Sequence, residues 1–166
     1  LGIMGVAPEA DGAHSSVPPG PFGGNLDLKE LAVGSTLFLP IFRHGAGFYA
    51  GDAHAAQGDG EVNQTAIETS MEAARLRFGI VKSTEPDSLP RVPWAETATH
   101  LVAMGLDEDL DQAVAQAVDC LVTHVSHRFD IAPVDAYALV SLAADVEVTQ
   151  AVNRVKGAHA LLPWTS

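Results

Sequence analysis

One short segment of the chain, residues 51–61 (GDAHAAQGDGE), concentrates side chains suited to bind a metal ion or to activate water. Asp52, His54, Asp59 and Glu61 lie there among glycine and alanine, and such small residues let backbone and ligand approach closely. If the backbone from Asp52 to His54 is extended, both side chains lie on one face, because strand side chains repeat every two residues. The two residues could then bind one metal ion or one water molecule.

Asp59 and Glu61 have the same spacing, and in an extended segment they would also share a face. A metal ion held by oxygen and nitrogen ligands lowers the pKa of bound water and polarises a carbonyl group, while a remaining carboxylate can act as the general base. The alternative is a glycine-rich turn in which the acidic side chains only cap backbone groups. The spacing of the residues leaves both interpretations open.

The length and composition predict one domain, or part of a larger one, with much apolar surface to bury. The chain has 166 residues, of which 47% are hydrophobic and 18% are charged. We therefore expect part of this surface to be covered in a homo-oligomer such as a homodimer. The net charge of −12, with scattered basic residues, argues against nucleic-acid binding, which needs a concentrated basic face.

Two further function classes are disfavoured by the sequence. No apolar run approaches the roughly 18 residues that a membrane span requires, so we expect no membrane association. Cys120 is the only cysteine, which excludes an internal disulfide framework and a cysteine-rich zinc site. These features favour a cytoplasmic protein.

Residues 1–106 have the pattern of a β-rich part with long loops that carry the polar motifs. The first eight residues are strand-like, and residues 8–25 are rich in proline and glycine, which predicts a long ordered loop. Alternating or strand-length apolar runs predict strands at 31–42, 65–71, 74–81 and 97–104, the second and third paired across residues 72–73. A proline-rich surface loop is predicted at 84–93.

Residues 107–145 predict a pair of helices, and residues 146–166 predict closing strands. The acidic residues 107–111 suit an N-cap and first turn, and apolar residues then recur at steps of three and four as far as Val125. Pro133 suits the first turn of a second helix. Strand patterns return at 146–155 and 158–162. The order of elements predicts an α+β fold with a mostly antiparallel sheet.

Several longer motifs occur along the chain in the order PPGPFGGNLDLKEL, GSTLFLPIF, GDAHAAQGDGE and AIET, followed by LDEDLDQAV, DAYALVSLAADVEVTQAV and ALLP. In this order and spacing they resemble the acetamidase/formamidase family over essentially the whole chain. The resemblance corresponds to the C-terminal portion of a family member, so the N-terminal portion of the same gene product is an expected partner. It implies a β-rich fold with helices and the hydrolysis of a short aliphatic amide, such as formamide or acetamide, to its acid and ammonia.

The resemblance also implies roles for individual residues. Members of the family are often metal-binding, and on this basis Asp52 and His54 are expected to bind a divalent ion, zinc in the first place, with calcium as an alternative. Glu61 or Asp59 is then expected to be the catalytic carboxylate that activates water. The resemblance does not decide between these two carboxylates.

Three more residues are expected to bind the substrate. The GGNLD motif contributes Asn25 and Asp27, and the central motif contributes Gln57. Many relatives carry histidine where this chain has Phe22, so a polar contact available to them is absent here.

Two other functions remain open at the level of sequence. The chain could be a related hydrolase that acts on another small amide or on a carbamoyl compound. It could also be a non-catalytic fragment, or a binding or structural domain of the same fold, that needs its upstream half.

Overall fold

The computed structural model describes residues 1–82 and 91–164. Within these ranges the β-rich part contains eight strands. They are β1 (Ile3–Gly5), β2 (Gly23–Asn25), β3 (Thr36–Phe38), β4 (Tyr49–Gly51), β5 (His54–Ala56), β6 (Ile67–Glu68), β7 (Trp94–Glu96) and β8 (His100–Asp107). The helices α1 (Leu110–Phe129) and α2 (Pro133–Ala143) follow, and the strands β9 (Asp145–Gln150) and β10 (Lys156–Pro163) come last.

The main sheet has five strands in the order β3-β7-β8-β10-β9, and every pair in it is antiparallel. Helix α1 packs across β8 and β10 on one face of this sheet. Leu101 and Ala103 of β8 point into the core on this helical side, together with Ala113 and Ala117 of α1. At Gly105 a side chain would collide with the backbone carbonyl oxygen of Ala113, so glycine is what lets the helix approach the strand so closely.

The other face of the main sheet is covered by the N-terminal segments. Because strand side chains alternate, Val102 and Met104 point away from the helices. They form a second apolar core with Leu26, Leu28 and Leu31, among others. A three-stranded sheet, β2-β1-β4, lies in this layer, and β5 and β6 form a separate pair. The segment that follows β2 therefore packs against the main sheet beside β10.

The helices begin where the sequence predicts. Asp109 is the N-cap of α1, and its side chain accepts a hydrogen bond from the backbone N–H of Asp111 at 2.8 Å. Pro133 occupies the first turn of α2, where its missing N–H costs no hydrogen bond. Cys120 is buried in the apolar face of α1. The predicted fold class, α+β with a mostly antiparallel sheet and two helices near the C-terminal end, is confirmed.

Several predicted strands are shorter than expected or do not form. Residues 31–42 supply only β3, and residues 65–71 supply only β6, which pairs with β5 rather than with residues 74–81. Residues 74–81 form no strand although Leu76, Phe78 and Ile80 alternate, because no described segment offers them a ladder of hydrogen bonds. Their side chains are exposed.

The strand predicted at 97–104 forms as β8 from His100 to Asp107. Gly105 does not end it but lies inside it, where the missing side chain allows the close contact with α1. The loop predicted at 84–93 falls mostly outside the described residues. Among the described residues, neither α1 nor α2 combines the length and the hydropathy that a membrane span requires. Helix α2 leaves the apolar side chains of Val134, Tyr137 and Leu142 exposed. The homo-oligomer that was expected to cover such surface stays a prediction.

Candidate active site

The site is assembled around the backbone of Gly2, which lies immediately before β1. The carbonyl oxygen of Gly2 accepts hydrogen bonds from the N–H groups of Leu26 and Asp27 at 3.0 and 3.1 Å. Its N–H donates to the carbonyl oxygen of Asp52 at 2.7 Å. Asp27 and Asp52 both have left-handed backbone conformations, with φ of 47° and 58°. These turns bring the GGNLD motif and the central polar motif to the same place.

Asp27, Asp52 and His54 form a three-residue cluster there, the carboxylate–histidine cluster. Nε2 of His54 lies 3.2 Å from Oδ1 of Asp52, and Nδ1 of His54 lies 4.0 Å from Oδ1 of Asp27. One ligand atom from each residue falls within 4.8 Å of the others. The structure thus brings the predicted metal ligands together and adds Asp27, which the sequence had assigned to substrate binding.

Two observations show that this cluster fits a cation. Oδ1 of Asp27 is buried and has no hydrogen-bond partner among the described residues, although a buried carboxylate oxygen normally has one. A Cβ atom on Gly2 would lie 2.5 Å from that oxygen and 2.8 Å from Oδ2 of Asp52, so only glycine leaves space between the carboxylates. Asp27, Asp52 and His54 can therefore serve as two oxygen ligands and one nitrogen ligand.

Glu61 lies beside the carboxylate–histidine cluster. Nδ2 of Asn153 donates to Oε2 of Glu61 at 2.8 Å and also lies 3.2 Å from Oδ2 of Asp27. Burial, followed by repulsion from the neighbouring Asp27, raises the pKa of Glu61 to about 7. A carboxylate with a pKa near neutrality can both accept and return a proton at physiological pH.

Asp59 does not join Glu61, and the expectation that the two share a face is wrong. Between them Gly60 has φ of 89°. Its N–H donates to the carbonyl oxygen of Thr149 in β9 at 3.1 Å, and its carbonyl oxygen accepts from the N–H of Ala151, just after β9, at 2.7 Å. The segment is therefore not an extended strand, and the two carboxylates point to different places. The assignment of either residue as the catalytic carboxylate stays a prediction.

The side chain of Asp59 instead belongs to a second group, the Lys29 cluster, made of Lys29, Glu30, Asp59, Glu147 and His159. The ammonium group of Lys29 pairs with Asp59 and lies 3.7 Å from Glu30 and 3.8 Å from Glu147. Burial acts to raise the pKa of Asp59, but the hydrogen bond from the Lys29 ammonium group outweighs it and lowers that pKa. Burial lowers the pKa of His159 to about 4, so its ring is neutral at pH 7.

The other two expected substrate ligands have partners in the protein. Nδ2 of Asn25 donates to the carbonyl oxygen of Val17 at 3.1 Å, and Nε2 of Gln57 donates to the carbonyl oxygen of Asp27 at 2.6 Å. Gln57 therefore holds the backbone of a cluster residue in place. Substrate binding by Asn25, Asp27 and Gln57 stays a prediction.

A cleft with a volume of about 380 Å³ opens next to the carboxylate–histidine cluster. Asp52 is part of its wall, and most of the other wall residues are small or apolar. They are Leu1, Ala50, Gly51, Ala53, Met71, Ala74 and Leu76. The cleft offers one charged wall beside apolar surface, an arrangement suited to a small molecule with one polar end.

Asn153, Glu30, Glu147 and His159 were not expected at these clusters from the sequence. Asn153 lies 126 positions from Asp27 along the chain, so no local motif joins them. His159 and Glu147 are directly opposite each other in the β9–β10 pair. This strand pairing is the one feature from which the closeness of Glu147 and His159 could have been predicted.

Known proteins resemble this chain in both sequence and structure. An acetamidase from Mycolicibacterium smegmatis is 51% identical over 53 residues, which are 32% of this chain and 13% of that protein. A formamidase from Methylophilus methylotrophus is 36% identical over 73 residues, which are 44% of this chain and 18% of that protein. The crystal structure of an acetamidase from Bacillus halodurans superposes with a TM-score of 0.81 at 32% identity.

The superposition covers 98% of this chain and 53% of the Bacillus halodurans chain, so the protein described here spans about half the length of that relative. The match to the family's sequence profile is also nearly complete, since it extends over residues 3–163. It includes both polar motifs, the two helices and the closing strands. The chain therefore belongs to the Acetamidase/Formamidase family.

Proposed function

We propose that this protein is an amidohydrolase that cleaves short aliphatic amides, such as formamide and acetamide, to the carboxylic acid and ammonia with the help of a bound divalent ion. The observation that carries the proposal is the convergence of Asp27, Asp52 and His54 around a buried carboxylate oxygen that has no hydrogen-bond partner among the described residues. The family's named members, acetamidases and formamidases, support amide hydrolysis as the reaction.

The donor set favours zinc among the divalent ions. Zinc binds imidazole nitrogen together with carboxylate oxygen, whereas calcium and magnesium prefer oxygen ligands alone. Calcium remains the alternative because two of the three donors are carboxylates. An ion bound by Asp27, Asp52 and His54 would polarise the amide carbonyl and make a water molecule more acidic.

In the proposed reaction Glu61 moves the proton. The oxygen of water forms a bond to the carbonyl carbon of the amide while Glu61 accepts the proton that this water loses. Glu61 then gives the proton to the amide nitrogen as the C–N bond breaks, which releases ammonia and leaves the carboxylic acid. Asn153 holds Glu61 in position through its 2.8 Å hydrogen bond.

The cleft beside Asp52 supports a small substrate. The alanine, leucine and methionine side chains of its wall can contact the alkyl group of an aliphatic amide, while the polar end lies toward Asp52. A related hydrolase of another small amide or carbamoyl compound would use the same machinery. Activity against a series of amides separates these substrates.

A second candidate function is favoured by the length of the chain. The protein spans about half of the solved acetamidase it resembles, and the apolar residues Leu76, Phe78 and Ile80 are exposed. On this account the chain is a non-catalytic portion of the fold that becomes active only with the upstream half of the same gene product.

The test is ammonia release by the purified chain from formamide, acetamide and propionamide, before chelation, after chelation and after zinc is restored. We expect ammonia from formamide and acetamide, loss of at least about 90% of the rate on chelation, and recovery with zinc. No ammonia from the chain alone, but ammonia after addition of the upstream portion, would favour the second candidate. A rate that chelation does not change would contradict the metal-dependent mechanism.

A further inference from the structure

The Lys29 cluster contains a buried histidine with an unsatisfied nitrogen. His159 is 0% exposed, and its Nε2 has no hydrogen-bond partner among the described residues. This nitrogen faces the carboxylates of Glu30 and Glu147, whose Oε2 atoms lie 3.6 and 3.8 Å away. Oε2 of Glu30 is itself buried and without a partner. Two buried polar atoms that face each other without a hydrogen-bond partner point to a ligand site, because buried polar atoms are normally satisfied.

The ring of His159 is fixed in orientation by Thr149. The hydroxyl oxygen of Thr149 lies 2.8 Å from Nδ1 of His159, and Thr149 is also buried. A partner on one ring nitrogen that aims the other nitrogen at a cluster of carboxylates is the usual support for a metal-binding histidine. The support here comes from β9, and the histidine comes from β10, so both belong to the main sheet.

The four possible ligands meet a geometric condition for one ion. One donor atom from each of Glu30, Asp59, Glu147 and His159 lies within 4.8 Å of the others. Three carboxyl groups share a single ammonium group, and a divalent cation bound in its place would stabilise their charged forms. Since the side chain of Lys29 is 43% exposed, it can swing into solvent and give up its place.

We propose that Glu30, Asp59, Glu147 and His159 form a second metal site, which takes a divalent ion that accepts mixed nitrogen and oxygen ligands, such as zinc, and for which the ammonium group of Lys29 competes. This site is separate from the carboxylate–histidine cluster and does not depend on the proposed function. The loop around Gly60 separates the two sites, with Asp59 on one side and Glu61 on the other.

The test counts zinc bound by the full chain after chelation and equilibrium dialysis against zinc, with metal measured by mass spectrometry. We expect two zinc ions in the wild-type chain, and one in the double variant Asp59→Asn, Glu147→Gln. A circular dichroism spectrum that matches the wild type shows that this variant is folded, whether or not the carboxylate–histidine cluster binds zinc. Glu72→Gln, which removes an exposed carboxylate outside both clusters, should bind as the wild type does.

The Lys29→Met variant distinguishes a metal site from an ion pair that has only a structural role. Removal of the competing ammonium group should tighten zinc binding at the second site by about tenfold or more, while loss of an ion pair alone would leave zinc binding unchanged. His54→Ala should abolish zinc binding only at the carboxylate–histidine cluster. The two proposed sites can therefore be tested independently of each other. The proposal is overturned if the wild type and the double variant bind the same number of zinc ions, or if Lys29→Met binds zinc no more tightly than the wild type does.

Discussion

Glu61→Gln is expected to release ammonia from formamide about 100- to 10,000-fold more slowly than the wild-type chain, which is the usual range for loss of a general base. Glutamine keeps the shape of the side chain and can still accept the hydrogen bond from Asn153, so the fold should not change. It cannot take the proton from water. Because Glu61 is not among the three proposed ligands, zinc content should stay that of the wild type.

Asp59→Asn is the matched comparison, because Asp59 lies in the same motif but its side chain pairs with Lys29 in the other cluster. It should reduce the rate of ammonia release far less than Glu61→Gln does. A Glu61→Gln chain with near-normal turnover, or an Asp59→Asn chain with the larger loss, would contradict the role given to Glu61. The rate constants kcat and KM, measured with formamide, decide between these outcomes.

His54→Ala is expected to lose metal and activity together. Without the imidazole only two carboxylate ligands remain, so zinc affinity should fall by more than about 100-fold, beyond the loss typical of residues that only support a ligand. Ammonia release should fall to background at zinc concentrations that saturate the wild type. The measurements are a zinc titration and the formamide assay on the same preparations.

His44→Ala provides the control for this variant, because His44 is exposed and its side chain has no hydrogen bond to another described residue. Its metal affinity and turnover should equal those of the wild type. If His54→Ala retained full zinc affinity at the carboxylate–histidine cluster, His54 would not be a ligand. If it lost zinc but kept its turnover, the reaction would not need the ion.

The helical and C-terminal part of the fold could be predicted because its signals are local. Asp109 and Pro133 mark the two helix starts, and an apolar period of three and four residues marks the buried face of α1. The N-terminal part could not be predicted equally well, since a strand forms only where a partner offers hydrogen bonds. The alternation in residues 74–81 is as regular as that of a strand, yet these residues remain unpaired among the described segments.

The candidate site was predictable to the extent that its residues are neighbours in sequence. Asp52 and His54 lie two positions apart, and the structure brings them to 3.2 Å. The approach of Asp27 to Asp52 and His54 depends on the backbone of Gly2 and on two left-handed turns. The spacing of residues in the sequence does not indicate either feature. The separation of Asp59 from Glu61 likewise depends on the hydrogen bonds that join Gly60 to Thr149 in β9 and to Ala151 just after it.

The most direct test of the central claim is anomalous X-ray diffraction at the zinc absorption edge, from crystals of the protein grown with zinc. The account predicts a peak within roughly 2.0–2.2 Å of one nitrogen of His54 and of one carboxylate oxygen each from Asp27 and Asp52. A map with no peak at these three residues, or with zinc bound only at the Lys29 cluster, would contradict it.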